Sequence, residues 1–178
     1  MPEVNLGITE KEFLSQYEPE SYSRPSVTDD MLLFTAVDAA EDVTVRELPV
    51  KELKVLLIKR GEHPDLGKWA LPGGFVKLDE NLDSAAERKL REETGIDNIY
   101  MEQLYTWGDV GRDPRTRVIS VAYMALVDSE KVNIQTGTSI VEARWFTVVA
   151  RVERVERINT SQGFDLVKDI KLTLTSRD

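Results

Sequence analysis

Residues 74–96 read GFVKLDENLDSAAERKLREETGI, and the fold turns on them. Leu82, Ala85, Ala86 and Leu90 fall at offsets 0, 3, 4 and 8, which is one apolar stripe of an α-helix. The spacing predicts a helix over Asn81–Thr94, closed by Gly95 at the position where a C′ glycine belongs. Positions 89, 92 and 93 are three or four apart, so Lys89, Glu92 and Glu93 share a helix face. Immediately upstream, Trp69–Val76 (WALPGGFV) is punctuated by Pro72, Gly73 and Gly74, so a strand end must run into a turn there. A glycine-rich turn ahead of a helix lets backbone groups approach an anion or a metal closely.

Outward from this core the pattern changes to strands. Thr28–Asp38 and Leu53–Arg60 are apolar and rich in β-formers, with a charged linker, Ala39–Glu52, between them. Further strand-like runs lie at Tyr100–Thr106, Arg117–Val127, Ala143–Val149 and Asp169–Thr175, and the loop Gly108–Arg115 separates the first two. Near the start, Thr9 and Glu12 have the spacing of a capping box, which predicts a short helix in Ile8–Tyr17. Strands around one amphipathic helix imply an α/β protein, a sandwich with a mixed β-sheet whose strand order the pattern leaves open. The expected division is an N-terminal helix and extended segment at 1–27, a main domain at 28–150 and a C-terminal extension at 151–178.

Composition narrows the chemistry. The chain has 178 residues, no Cys and one His, His63, which excludes disulfides, thiolate metal sites and multi-histidine zinc centres and weakens any Ser-His-Asp proposal. Its 32 acidic and 23 basic residues give a net charge of -9, unsuited to nucleic-acid phosphates unless the basic groups cluster. No run approaches the ~18 apolar residues that cross a bilayer, and the start lacks a basic n-region with an apolar core. The expectation is a cytoplasmic domain, not bound to membrane, whose metal chemistry must use carboxylates.

The 74–96 segment resembles the box of the Nudix superfamily, G-x5-E-x7-R-E-U-x-E-E-x-G-U with U a bulky aliphatic residue. Eight of the nine fixed positions match: Gly74, Glu80, Arg88, Leu90, Glu92, Glu93, Gly95 and Ile96. WALPGGFV and Arg144-Trp145-Phe146 carry the resemblance over about Met31–Val149. It implies a Nudix α/β/α sandwich with a loop-helix-loop box, and metal-dependent hydrolysis of a nucleoside diphosphate linked to another moiety. By the same resemblance Glu92 and Glu93 are catalytic and hold Mg²⁺ or Mn²⁺ together with the Gly74 backbone, while Glu80 and Arg88 form an orienting ion pair. Gln103–Tyr123 is similar to the ADP-ribose pyrophosphatase-like branch and to Nudix-related transcription regulators. Regulators of that kind join an effector-binding Nudix part to a C-terminal winged helix. The tail after the core is too short and strand-like to hold a helix-turn-helix, so direct nucleic-acid binding by this segment is not expected.

The ninth position is Lys89, where the box has a glutamate. A charged ammonium has three donors and no lone pair, and it repels a divalent cation at close range. Two readings follow. In the leading one the chain hydrolyses an ADP-ribose-like substrate with Glu92, Glu93 and a later carboxylate, for which Asp128, Glu130 and Glu142 are candidates. In the alternative it is a catalytically impaired domain that binds ADP-ribose or a related ligand. Arg112 and Arg115 suit bidentate contacts to diphosphate, against which stands a charged turn organised by Asp113 and Pro114. Arg117 is a weaker candidate for the same role. Trp107, with Trp69 and Tyr105, suits stacking on a base, although aromatic residues at strand ends are more often core. His63 reads as a surface loop residue, with replacement of the missing base as its alternative role, and Asp109 as a turn former. The partners expected are a nucleotide-type small molecule and a second copy in a homodimer joined through the N-terminal segment.

Overall fold

The computed structural model describes residues 7–39, 51–133, 139–160 and 163–176. Most of the expected linker, residues 40–50, lies outside them. Eight strands form one mixed sheet: β1 (Ser26–Asp38), β2 (Lys51–Arg60), β3 (Trp69–Ala70), β4 (Gly73–Phe75), β5 (Glu102–Trp107), β6 (Val118–Leu126), β7 (Ile140–Thr160) and β8 (Gly163–Thr175). The order is β5-β6-β1-β2-β7-β8, with β3 paired to β2 and β4 to β1. The β1–β6 ladder is parallel, from Ser26 opposite Val118 to Phe34 opposite Leu126, and every other pairing is antiparallel. Strand β7 runs through residue 150 without a break and forms a long ribbon with β8, interrupted by a bulge between Val152 and Arg154.

Helix α1 (Glu10–Gln16) has the expected capping box, with Thr9 and Glu12 bonded reciprocally, but it buries none of its residues. Helix α2 (Leu82–Thr94) is capped by Asn81, whose side chain accepts from the Ser84 amide, and closes at Gly95 in the left-handed conformation that glycine adopts freely. Its apolar stripe lands on the sheet: Ala85, Ala86 and Leu90 are buried, and Leu90 joins Met31, Leu33, Leu56, Ala125 and Val127 in the main core cluster. The small side chains at 85 and 86 bring the helix axis close to the strands. The Tyr123 hydroxyl then donates to Asp83 at 2.7 Å and ties sheet to helix. Because β4 is hydrogen-bonded to β1 and leads directly into α2, the Pro-Gly-Gly corner is held between the central strand and the acidic helix.

Candidate functional site

The corner is tight. A β-carbon on Gly73 would lie 2.2 Å from the Asp29 carbonyl oxygen, so only glycine admits this approach of β4 to β1. The next amide, of Gly74, donates to Asp29 Oδ1 at 3.0 Å. A strap then closes the loop from β4 onto α2. Glu80 receives Arg88 through Nε at 2.8 Å and Nη2 at 2.5 Å, and it also accepts from the Lys77 amide. The guanidinium and that amide hold the Glu80 carboxyl down to about 2. This ion pair ties the loop after β4 to helix α2.

Lys89 comes off the inner side of α2 and lies across Gly74, its Cε 2.4 Å and its Nζ 3.0 Å from where a β-carbon of residue 74 would be. Its ammonium is 3.5 Å from Glu92 Oε2 and 3.9 Å from Glu93 Oε1. Glu93 is largely enclosed and Glu92 half-exposed, turned also toward Arg88 Nη1 at 3.2 Å. Burial pushes the Glu93 carboxyl up to about 7, against the opposing pull of Lys89 and the Gly73 backbone. Burial likewise raises Asp29, opposed chiefly by the Gly74 amide. One oxygen of each, Asp29 Oδ2 and Glu93 Oε2, is buried without a hydrogen-bond partner. These carboxylates are open to a further donor or cation, but the chain has placed its own ammonium beside Glu93. Among the described residues no group of three or more His, Asp or Glu is arranged to hold a metal ion. The donor set as it stands does not fit a resident divalent cation.

Glu93, Lys89, Gly73 and Gly74 line a cleft of about 430 Å³, and Arg60, Glu62, His63, Arg112, Asp113 and Arg115 line it too. Arg115 is already engaged. Asp113 holds it at 3.0 and 2.8 Å, and its guanidinium lies 5.4 Å from the centre of the Phe75 ring. Arg112 is exposed and reaches the same cleft.

Other sequence candidates lie elsewhere. Glu92 stands beside the cleft without lining it. Trp107 sits on the sheet-edge strand β5, packed edge-on against Tyr105 and away from the cleft lining. Arg117 donates to the Asp109 carbonyl. Asp128 caps a 3-10 turn at Ser129–Lys131 beyond the end of β6 and Glu130 lies within it, while Glu142 is paired with Arg144 and Lys59. None of these three reaches the cleft lining. Asp29 was not singled out by the sequence reading. Its signal was phase: it lies in register with Met31 and Leu33, buried positions two and four residues on, where alternation calls for an apolar side chain.

With this geometry in view, comparison with known proteins is direct. Residues 40–157 match the family model of the NUDIX domain. The chain is 42% identical over 127 residues to an ADPR responsive transcriptional repressor, NtrR, of Acinetobacter baylyi, covering 70% of this chain and 46% of the relative. It is 36% identical over 104 residues to an ADP-ribose pyrophosphatase of Methanocaldococcus jannaschii, covering 58% and 60%. The chain thus spans about half the length of these curated relatives. Among solved structures, the NUDIX domain of Shewanella oneidensis NrtR complexed with ADP ribose superposes with a TM-score of 0.62 at 38% identity, over 78% of this chain and 82% of that one.

Proposed function

Because the chain belongs to the Nudix family, we propose that its cleft takes up a nucleoside diphosphate derivative of the ADP-ribose kind as an effector, in the manner of a regulator's sensing domain. Nudix hydrolases generally use divalent metals. The observation that carries the sensing reading is the Lys89 ammonium, set against Gly74 between Glu92 and Glu93 where a metal-binding carboxylate would be needed. An ammonium there, with Arg112 across the cleft, attracts a diphosphate without a bridging metal. Arg115, paired with Asp113 and laid on Phe75, fixes the shape of the wall, which leaves Lys89 and Arg112 to meet the charge of the ligand. A relative responsive to ADPR and a solved NUDIX domain complexed with ADP ribose support this choice of ligand.

The hydrolase reading keeps one observation in its favour, the two buried carboxylate oxygens without partners, Asp29 Oδ2 and Glu93 Oε2, although the Lys89 ammonium stands beside Glu93. Calorimetry separates the two. ADP-ribose is expected to bind with the same affinity, within about twofold, in EDTA and in Mg²⁺, and no AMP is released on incubation. Lys89→Glu is expected to create a Mg²⁺ site visible by calorimetry. Binding lost in chelator, or AMP release abolished by Glu92→Gln, overturns the sensing reading.

A further inference from the structure

Strand β8 ends the sheet, so its outer edge has no partner among the described residues. Over Asp169–Thr175 every residue is exposed, Ile170 by 54%, Leu172 by 66% and Leu174 by 44%. These three alternate along the strand and share a face with Val152, Ala150 and Val148, their partners on β7. The result is an apolar ribbon at the rim of the sheet. A long apolar edge is a template for another strand unless charge, proline or a bulge blunts it. Here β8 contains no Pro, the bulge between Val152 and Arg154 puts its extra residue on β7 and not on the outer strand, and Lys171 is turned to Glu153 at 3.6 Å on the other face of the ribbon.

We propose that the edge is covered by a second copy of this chain, β8 against β8, antiparallel about a two-fold axis through Ile170. Charge selects that register. With Ile170 on the axis, Asp169 of each copy stands opposite Lys171 of the partner subunit, giving two symmetry-related ion pairs. Asp169 has no ion pair among the described residues, and the pairing gives it one across the axis. On the opposite face Ile170 meets its own copy, and the apolar ribbon continues from one subunit into the other. An axis through Leu172 would instead set Lys171 against Thr173 and Asp169 against Thr175 and would lose both ion pairs. The interface is independent of what the cleft binds.

The chain has no cysteine, so a single introduced one reports on the axis. Ile170→Cys is expected to form a disulfide-linked dimer under mild copper-phenanthroline oxidation. Thr173→Cys, on the same edge, is expected not to, because its copies would stand roughly 20 Å apart at ~3.3 Å per residue. In sedimentation at tens of micromolar the unmodified chain is expected to be a dimer. Asp169→Lys is expected to weaken it at least tenfold by opposing two lysines, and Asp169→Lys combined with Lys171→Asp to restore it. Two results overturn the proposal. One is a monomeric unmodified chain. The other is a dimer that ignores Asp169→Lys and cross-links no better at 170 than at 173; if it is lost instead on changing Phe13 and Tyr17, the N-terminal segment is the contact.

Discussion

At position 93 a glutamate carries the electrostatic strain of the cleft. Its carboxyl is raised to about 7 by burial, so between pH 4.5 and 7 the folded chain holds a proton that the unfolded chain has lost. The contribution of this group to stability is therefore greatest at acid pH, falls as pH rises through that window and is flat above it. Glu93→Gln removes the titrating group. The difference in unfolding free energy between variant and unmodified chain is expected to grow from pH 4.5 to 7, with the variant more stable at pH 8 by on the order of 1–3 kcal/mol. Denaturant melts of both proteins at four pH values across this range check it, and a pH-independent difference would mean that Glu93 is not buried in solution. At position 73 the constraint is steric: Gly73→Ala forces a carbon onto the Asp29 carbonyl and is expected to lower stability by more than about 2 kcal/mol. The corner was legible from Pro72, Gly73 and Gly74, but the strand it presses on was not. Turn chemistry is local, whereas the partner of this turn is set by chain 45 residues away.

The two helices look alike in sequence, each opened by a capping residue, and differ in what they bury. Asn81→Ala removes the side-chain acceptor for the Ser84 amide at the start of a packed helix. It is expected to cost about 1 kcal/mol, or about 2–4 °C in the melting midpoint of a chain this size. Thr9→Ala breaks an equally well-formed box in α1, yet α1 contributes no buried residue. The global midpoint is expected to stay unchanged while hydrogen exchange at residues 10–16 accelerates, and a lowered midpoint would show that α1 docks on the rest of the molecule. Helix α2 was readable because its stripe repeats within 14 residues and meets a glycine stop. The strands were readable as strands for the same reason, but not their order. The parallel ladder of β1 with β6 depends on apolar surfaces distant in the chain, and Trp107 fell away from the cleft because that order sends β5 to the edge of the sheet, whereas Glu142, on a strand whose first residue lines the cleft, is taken up by Arg144 and Lys59.

For the molecule as a whole, residue 150 is no natural cut. Strand β7 continues through it, and Thr147, Val148, Val149 and Ala150 pair with Thr175 to Leu172. A chain ending at 150 therefore strips the β7 edge, and its midpoint is expected to lie several degrees below that of residues 1–178; equal midpoints would make 151–178 an independent appendage. The sheet also has an unusual order of assembly. Its central strand β1 comes early, yet it is paired on one side by β2 and on the other by β6, and the Asp30–Ser120 hydrogen bond spans 90 residues. On the ribosome, the stretch Met31-Leu32-Leu33-Phe34 emerges long before its second neighbour is translated. Nascent chains of this protein must wait with an apolar strand bared on one flank until β6 is translated, and through that interval the stretch is open to association with other chains.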